Sequence, residues 1–148
     1  HEHFITHLIK QKIYTCTEKL HTIEPTRRDK TFILYLPENE IHEIGLLFLN
    51  YELLMHGSRR VYLGPTIPME NLSDLKGYVE HPVYISYFTV LPALEDIPDY
   101  LETFREAHLM INGSELWILG RQVQDLEKSQ SPKGVRAFNS IEELLTGV

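Results

Sequence analysis

The chain of 148 residues contains one cysteine, Cys16. A lone cysteine excludes an intramolecular disulfide and any cysteine-cluster metal site. A reducing, cytoplasmic compartment is the corresponding expectation. Long apolar runs are also missing. A stretch such as Ile44 to Asn50 is far shorter than the roughly 18–20 residues that cross a bilayer, so no membrane partner is expected. The start, His1-Glu2-His3-Phe4, has no basic flank followed by an apolar stretch, and does not read as a signal peptide. Positive charge is scarce: Lys and Arg number 14 against 21 Asp and Glu, a net charge of −7. Gripping duplex nucleic acid needs a basic face that neutralises phosphates. The tight basic groups, Arg27-Arg28 with Lys30 and Arg59-Arg60, read as solvated loop or strand-edge charges. Phosphate-binding signatures are absent too. No G-x-G-x-x-G follows the first strand and no P-loop occurs, which argues against dinucleotide and nucleoside-triphosphate enzymes. No G-x-S-x-G elbow is present, which argues against an α/β-type serine hydrolase.

What is present is an ordinary globular mixture, 43% apolar and 24% charged, sized for one domain with a real core. Phe4, Leu8, Ile9, Ile13, Cys16 and Leu20 recur at helical spacing, predicting a helix over residues 1–21. The polar stretch from Thr22 to Lys30 reads as a linker. Beyond it strand and helix alternate. Strands are predicted at 31–36, 60–63, 82–88, 116–119 and 135–138, the first of them buried on both faces. Helices are predicted at 41–57 (ended by Gly57), 68–78, 92–110, 121–127 and 140–145, the last capped by Ser140 with Glu143 three residues on. Strict alternation with short connections implies a parallel sheet covered on both faces. The expected fold is therefore α/β: a flavodoxin-like, Rossmann-like five-stranded parallel sheet in the order 2-1-3-4-5. Residues 1–30 would be a helix from an otherwise truncated helical bundle plus linker, and residues 31–148 the α/β domain.

In such sheets ligands sit beyond the carboxyl ends of the strands, at the switch point between the first and third. The first loop there offers Glu40-Ile41-His42-Glu43-Ile44-Gly45. A neutral His42 can ligate a metal through one ring nitrogen if an acceptor holds the other, and Glu40 can be that acceptor. Gly45 leaves room beside the helix for a bulky planar group. The plainer reading is a helix-start histidine among solvated acids. A receiver domain is disfavoured, because the third strand ends in Ser86, Tyr87 and Phe88 rather than an acid. His3 and His7 have the spacing of a two-histidine zinc site, but no third ligand follows in sequence. His56, His81 and His108 read as surface residues, Trp117 as core and Cys16 as a buried small hydrophobe.

An acidic residue, any residue, His, two residues and Gly after a first strand resembles the signature of cobalamin-binding domains. Glu40, the run His42-Glu43-Ile44-Gly45 and then Tyr62-Leu63-Gly64-Pro65 resemble most the sensor part of MerR-type cobalamin-dependent photoreceptor repressors, the CarH and LitR group. The resemblance implies several things. His42 would replace the cofactor's own base beneath cobalt, and the detached nucleotide tail would slot into the sheet beside Ser86 and Gly120. Glu2 and His3 would face the upper side, with His3 a possible upper ligand. Adenosylcobalamin and light would be the inputs. DNA would be reached only through an N-terminal winged helix outside this chain, and a homo-oligomer is possible. No catalytic residue is implied. Leu119 stands where the family usually has a glycine, and Tyr87 and Phe88 are large for a tail pocket. Weak cobalamin binding, and its absence from the isolated fragment, are therefore expected. The alternatives are the corrinoid-carrying domain of a methyltransferase or mutase, and a regulator of this fold that no longer binds cobalamin.

Overall fold

A computed structural model describes residues 2–111, 113–126 and 131–148. Helix α1 (Glu2–Leu20) comes first, followed by strand β1 (Arg27–Pro37), helix α2 (Ile44–Met55) and strand β2 (Ser58–Ile67). A 3-10 segment (Met69–Leu75), strand β3 (Pro82–Tyr87), a short 3-10 turn (Leu94–Asp96) and helix α3 (Ile97–Phe104) follow. A π-helical turn (Arg105–Leu109), strand β4 (Glu115–Leu119), helix α4 (Arg121–Gln124), strand β5 (Val135–Ala137) and helix α5 (Ile141–Leu145) complete the order. All five strands are parallel, in the order β2-β1-β3-β4-β5. The expected architecture is the one observed.

The sheet separates two cores. Phe32, Leu34, Ile85, Trp117 and Leu119 face α2 and α5, against Leu46, Leu49, Leu53 and Leu144. Ile33, Tyr35, Tyr84, Leu116 and Ile118 face α3, against Ile97, Leu101 and Phe104. Alternate residues of each central strand thus enter opposite layers, and residues 31–37 are buried without a break. The continuous apolar run in β1 follows from this two-sided burial.

Several boundaries differ from expectation. β1 starts at Arg27, because Arg27 pairs with Ser58 and its N–H donates to Gly57 O at 3.0 Å. The linker is correspondingly shorter. β2 runs through Gly64-Pro65. It is the outermost strand, where proline's missing N–H costs no ladder bond. The predicted helix at 68–78 is 3-10, and the one at 92–110 is divided into 3-10, α and π pieces. Pro98 sits in the first turn of α3, a position where a proline is tolerated. The predicted helix end at Glu127 lies outside the described residues. Ser140 caps α5 as expected, its Oγ accepting from Glu143 N at 3.1 Å. His108 is buried rather than exposed, and Cys16 is only half-buried. No described helix is long and apolar enough to cross a membrane.

Candidate functional site

The β1–α2 loop is built around one carboxylate. Glu40 is 1% exposed, yet its carboxylate meets five hydrogen-bond donors. Oε1 accepts from Ile41 N and His42 N, each at 3.0 Å, and from His42 Nδ1 at 2.6 Å. Oε2 accepts from Val90 N at 2.8 Å and Leu91 N at 2.7 Å. Burial by itself would raise the Glu40 pKa. The N–H groups of Leu91, His42 and Val90, with the His42 ring, outweigh it and hold the carboxyl below its ordinary value. An ionised carboxylate only accepts, so Nδ1 of His42 carries the proton. Nε2 points away from that carboxylate, on a side chain that is 54% exposed, and in the neutral ring it is the nitrogen that keeps the lone pair. This is the second-sphere arrangement that orients a ligating imidazole.

The same bonds explain why α2 starts at Ile44 and not at 41. The N–H groups of Ile41 and His42 turn back to the Glu40 side chain, as in other local turns that compete with a helix. Glu43 occupies the N-cap. Its Oε1 accepts from Lys10 Nζ at 3.0 Å and its Oε2 from Tyr62 OH at 2.8 Å. Burial, and then the bond to Glu43, push the Tyr62 hydroxyl pKa well up. One acid therefore joins α1, the loop and β2.

A groove of about 590 Å³ opens between α1 and this loop, lined by Glu2, His3, Thr6, Lys10, His42, Glu43, Gly45 and Thr89 among others. Four of the residues singled out from sequence thus border one groove: Glu2, His3, His42 and Gly45. Glu40 lies behind it as the support of His42. Ser86 and Gly120 do not line it. Ser86 is fully buried and donates to Tyr35 O at 2.9 Å, on the α3 side of the sheet. Gly120 has φ +117°, and a Cβ there would lie 2.5 Å from Phe88 O, so its missing side chain serves backbone contact. At Gly45 a Cβ would lie 2.7 Å from ring carbons of Tyr87. The room beside α2 is taken by that ring, not open.

Lys10 and Thr89 were not singled out from sequence, and Glu43 stood only inside the quoted loop run, with no role of its own. For Lys10 a signal existed: with His3 and Thr6 it falls on one helix face, at spacings of three and seven. For Glu43 and Thr89 the signal is only tertiary. His3 and His7 have no partners for a zinc site, since among the described residues no group of three or more His, Cys, Asp or Glu could hold a metal ion.

No protein-family model matches the chain, and no curated protein matches it. Solved structures do. The monomethylamine corrinoid protein of Methanosarcina barkeri matches with a TM-score of 0.67 and 18% identity over 91% of this chain. A cobalamin-binding protein from Desulfitobacterium hafniense DCB-2 matches with a TM-score of 0.61 and 12% identity over 93% of it. At these identities the likeness establishes the fold. The match spans 63% and 66% of those two chains.

Proposed function

We propose that this chain is the corrinoid-binding sensory part of a transcriptional regulator, with His42 as the lower axial ligand of cobalt. The observation that carries the ligand assignment is the buried Glu40 fixing Nδ1 of the half-exposed His42 at 2.6 Å. Among the described residues no cluster supplies several metal ligands. A single oriented imidazole suits a metal that would arrive with its remaining ligands already supplied by a macrocycle. Both structural neighbours, a corrinoid protein and a cobalamin-binding protein, support the same class of ligand.

The residues divide the work. Glu40 holds the His42 tautomer and ring plane, so Nε2 presents its lone pair to the groove. Glu2 and His3 border the groove from α1, the side from which an upper face would be covered. The ion pair between Lys10 and Glu43 holds α1 on the loop that carries His42. A corrinoid held there by His42 would supply a light-sensitive cobalt–carbon bond. In the regulator reading, adenosylcobalamin and light are the inputs, and the module performs no catalysis. DNA is contacted by a winged helix outside this chain, and oligomerisation carries the signal.

A second reading, the corrinoid-carrying domain of a methyltransferase, draws on the likeness to the monomethylamine corrinoid protein. Reconstitution in darkness with adenosylcobalamin and with methylcobalamin separates the two. The regulator reading expects a stable adenosyl complex whose oligomeric state changes on illumination, and the carrier reading expects an oligomeric state that illumination leaves unchanged with either cofactor. In either case His42→Ala should lose the histidine-on absorption spectrum. Equal binding and identical spectra for wild type and His42→Ala would overturn the assignment of the ligand.

A further inference from the structure

The fit of this chain to a corrinoid is good on one count and poor on another. His42 and Glu40 suit a metal. The space beneath them does not suit a nucleotide tail. If His42 takes the lower face of the metal, a tail attached to that face must pass from the groove towards α2 and the tips of β1 and β3. Gly45 faces that route, and the ring of Tyr87 lies against it, 2.7 Å from where a Cβ would be. Behind Tyr87 stands its register partner on β4, Leu119, which is 1% exposed and packed in the α2 core. The hydroxyl of Ser86, across the sheet, is committed to Tyr35 O. Tyr87 is half-buried and able to turn. Leu119 is enclosed, and close-packed interiors hold few voids to receive a displaced side chain.

We propose that the His42 groove selects corrinoids that lack a lower nucleotide tail, and that Tyr87 is the residue that keeps the tail out. The inference rests on the corrinoid reading above and narrows its ligand: a tail-less corrinoid takes the place of adenosylcobalamin as the preferred input, and adenosylcobalamin becomes a weaker-binding surrogate. Two effects act in the same direction. A tailed corrinoid must displace Tyr87, an overpacking that costs about tenfold to hundredfold in affinity. It must also give up its own base, which competes with His42 at the high effective concentration of a tethered group. A tail-less corrinoid meets neither obstacle.

The test is an absorbance titration of the whole chain in the aquo forms of cobinamide, which has no lower nucleotide, and cobalamin, which has one. The expected result is a His42-dependent spectral change with cobinamide at a dissociation constant at least about tenfold below that for cobalamin. In Tyr87→Ala the ratio should shrink severalfold, chiefly through tighter cobalamin binding. Cobalamin binding as tightly as cobinamide in the wild type would overturn the inference and leave the corrinoid reading standing. An unchanged ratio in a Tyr87→Ala protein with native circular dichroism would overturn the role of Tyr87. If that variant does not fold, the wild-type comparison alone decides whether the tail is excluded. Failure of both corrinoids to give a spectral change that His42→Ala abolishes would overturn the corrinoid reading itself.

Discussion

Glu40 concentrates more structure in one carboxylate than any other described side chain. Replacing it with Gln would turn an amide N–H₂ towards backbone donors. Hydrogen bonds to charged groups contribute about 1.5–3 kcal/mol each, so Glu40→Gln should cost roughly 3 kcal/mol, or about 6–12 °C in melting temperature for a chain of this size. The pH dependence has a defined sign. The folded pKa lies below the ordinary 4.5, so this contribution is complete above that value and is lost as the pH falls through the folded one. Urea titrations should therefore show the gap between wild type and Glu40→Gln wide at pH 7 and shrinking below about pH 4.5. Two glycines make a complementary pair. Gly120→Ala would set a Cβ against Phe88 backbone at φ +117°, and should cost more than about 3 kcal/mol. Gly45→Ala meets only the far end of a side chain that can swing. A helix gains about 1 kcal/mol from the exchange of Gly for Ala, so its net cost should stay under about 1 kcal/mol. Denaturation midpoints that rank the two the other way would contradict both assignments.

Among the elements, α1 stands apart. It has no buried residue, and Phe4, Ile5, Leu8 and Ile9 are all exposed. Its contacts are chiefly with α2, and among the described residues Lys10–Glu43 is its one ion pair. Removing that pair with Lys10→Ala removes about 1 kcal/mol at most from a contact that retains solvent access. Amide hydrogen exchange in α1 should then accelerate by up to about fivefold, while β1 and β3 amides stay unchanged. Acceleration throughout the sheet would mean that α1 is integral to the core. The existence of α1 was legible in its helical spacing. Its exposure was not, since spacing reports a stripe and says nothing of what covers it. The strand order was legible because alternation and short connections leave few topologies. The extent of β2 was not: Gly64-Pro65 reads as a turn unless the strand is known to be outermost. The π-helical turn at Arg105–Leu109 left no local trace. At the site, the Glu40–His42 pair was legible from a spacing of two. The ties of Glu40 to Val90 and Leu91 were not, because they join segments about fifty residues apart.

At the scale of the whole molecule the net charge of −7 opposes binding to a polyanion. Mobility-shift assays of this chain with duplex DNA should show no sequence-dependent complex at physiological salt. A salt-resistant, sequence-dependent shift would contradict this. The five bonds of Glu40 have a further consequence, for kinetics. One carboxylate staples the β1–α2 loop to the segment after β3, so the crevice at the sheet tips cannot widen by parting its two lips. The opposite wall, α1, is held far more lightly. A molecule bound for His42 thus meets a fixed floor and a swinging door. Its observed association rate should climb with concentration and then level off at the frequency with which the helix lifts. Stopped-flow traces would show that plateau, and Lys10→Ala should raise it.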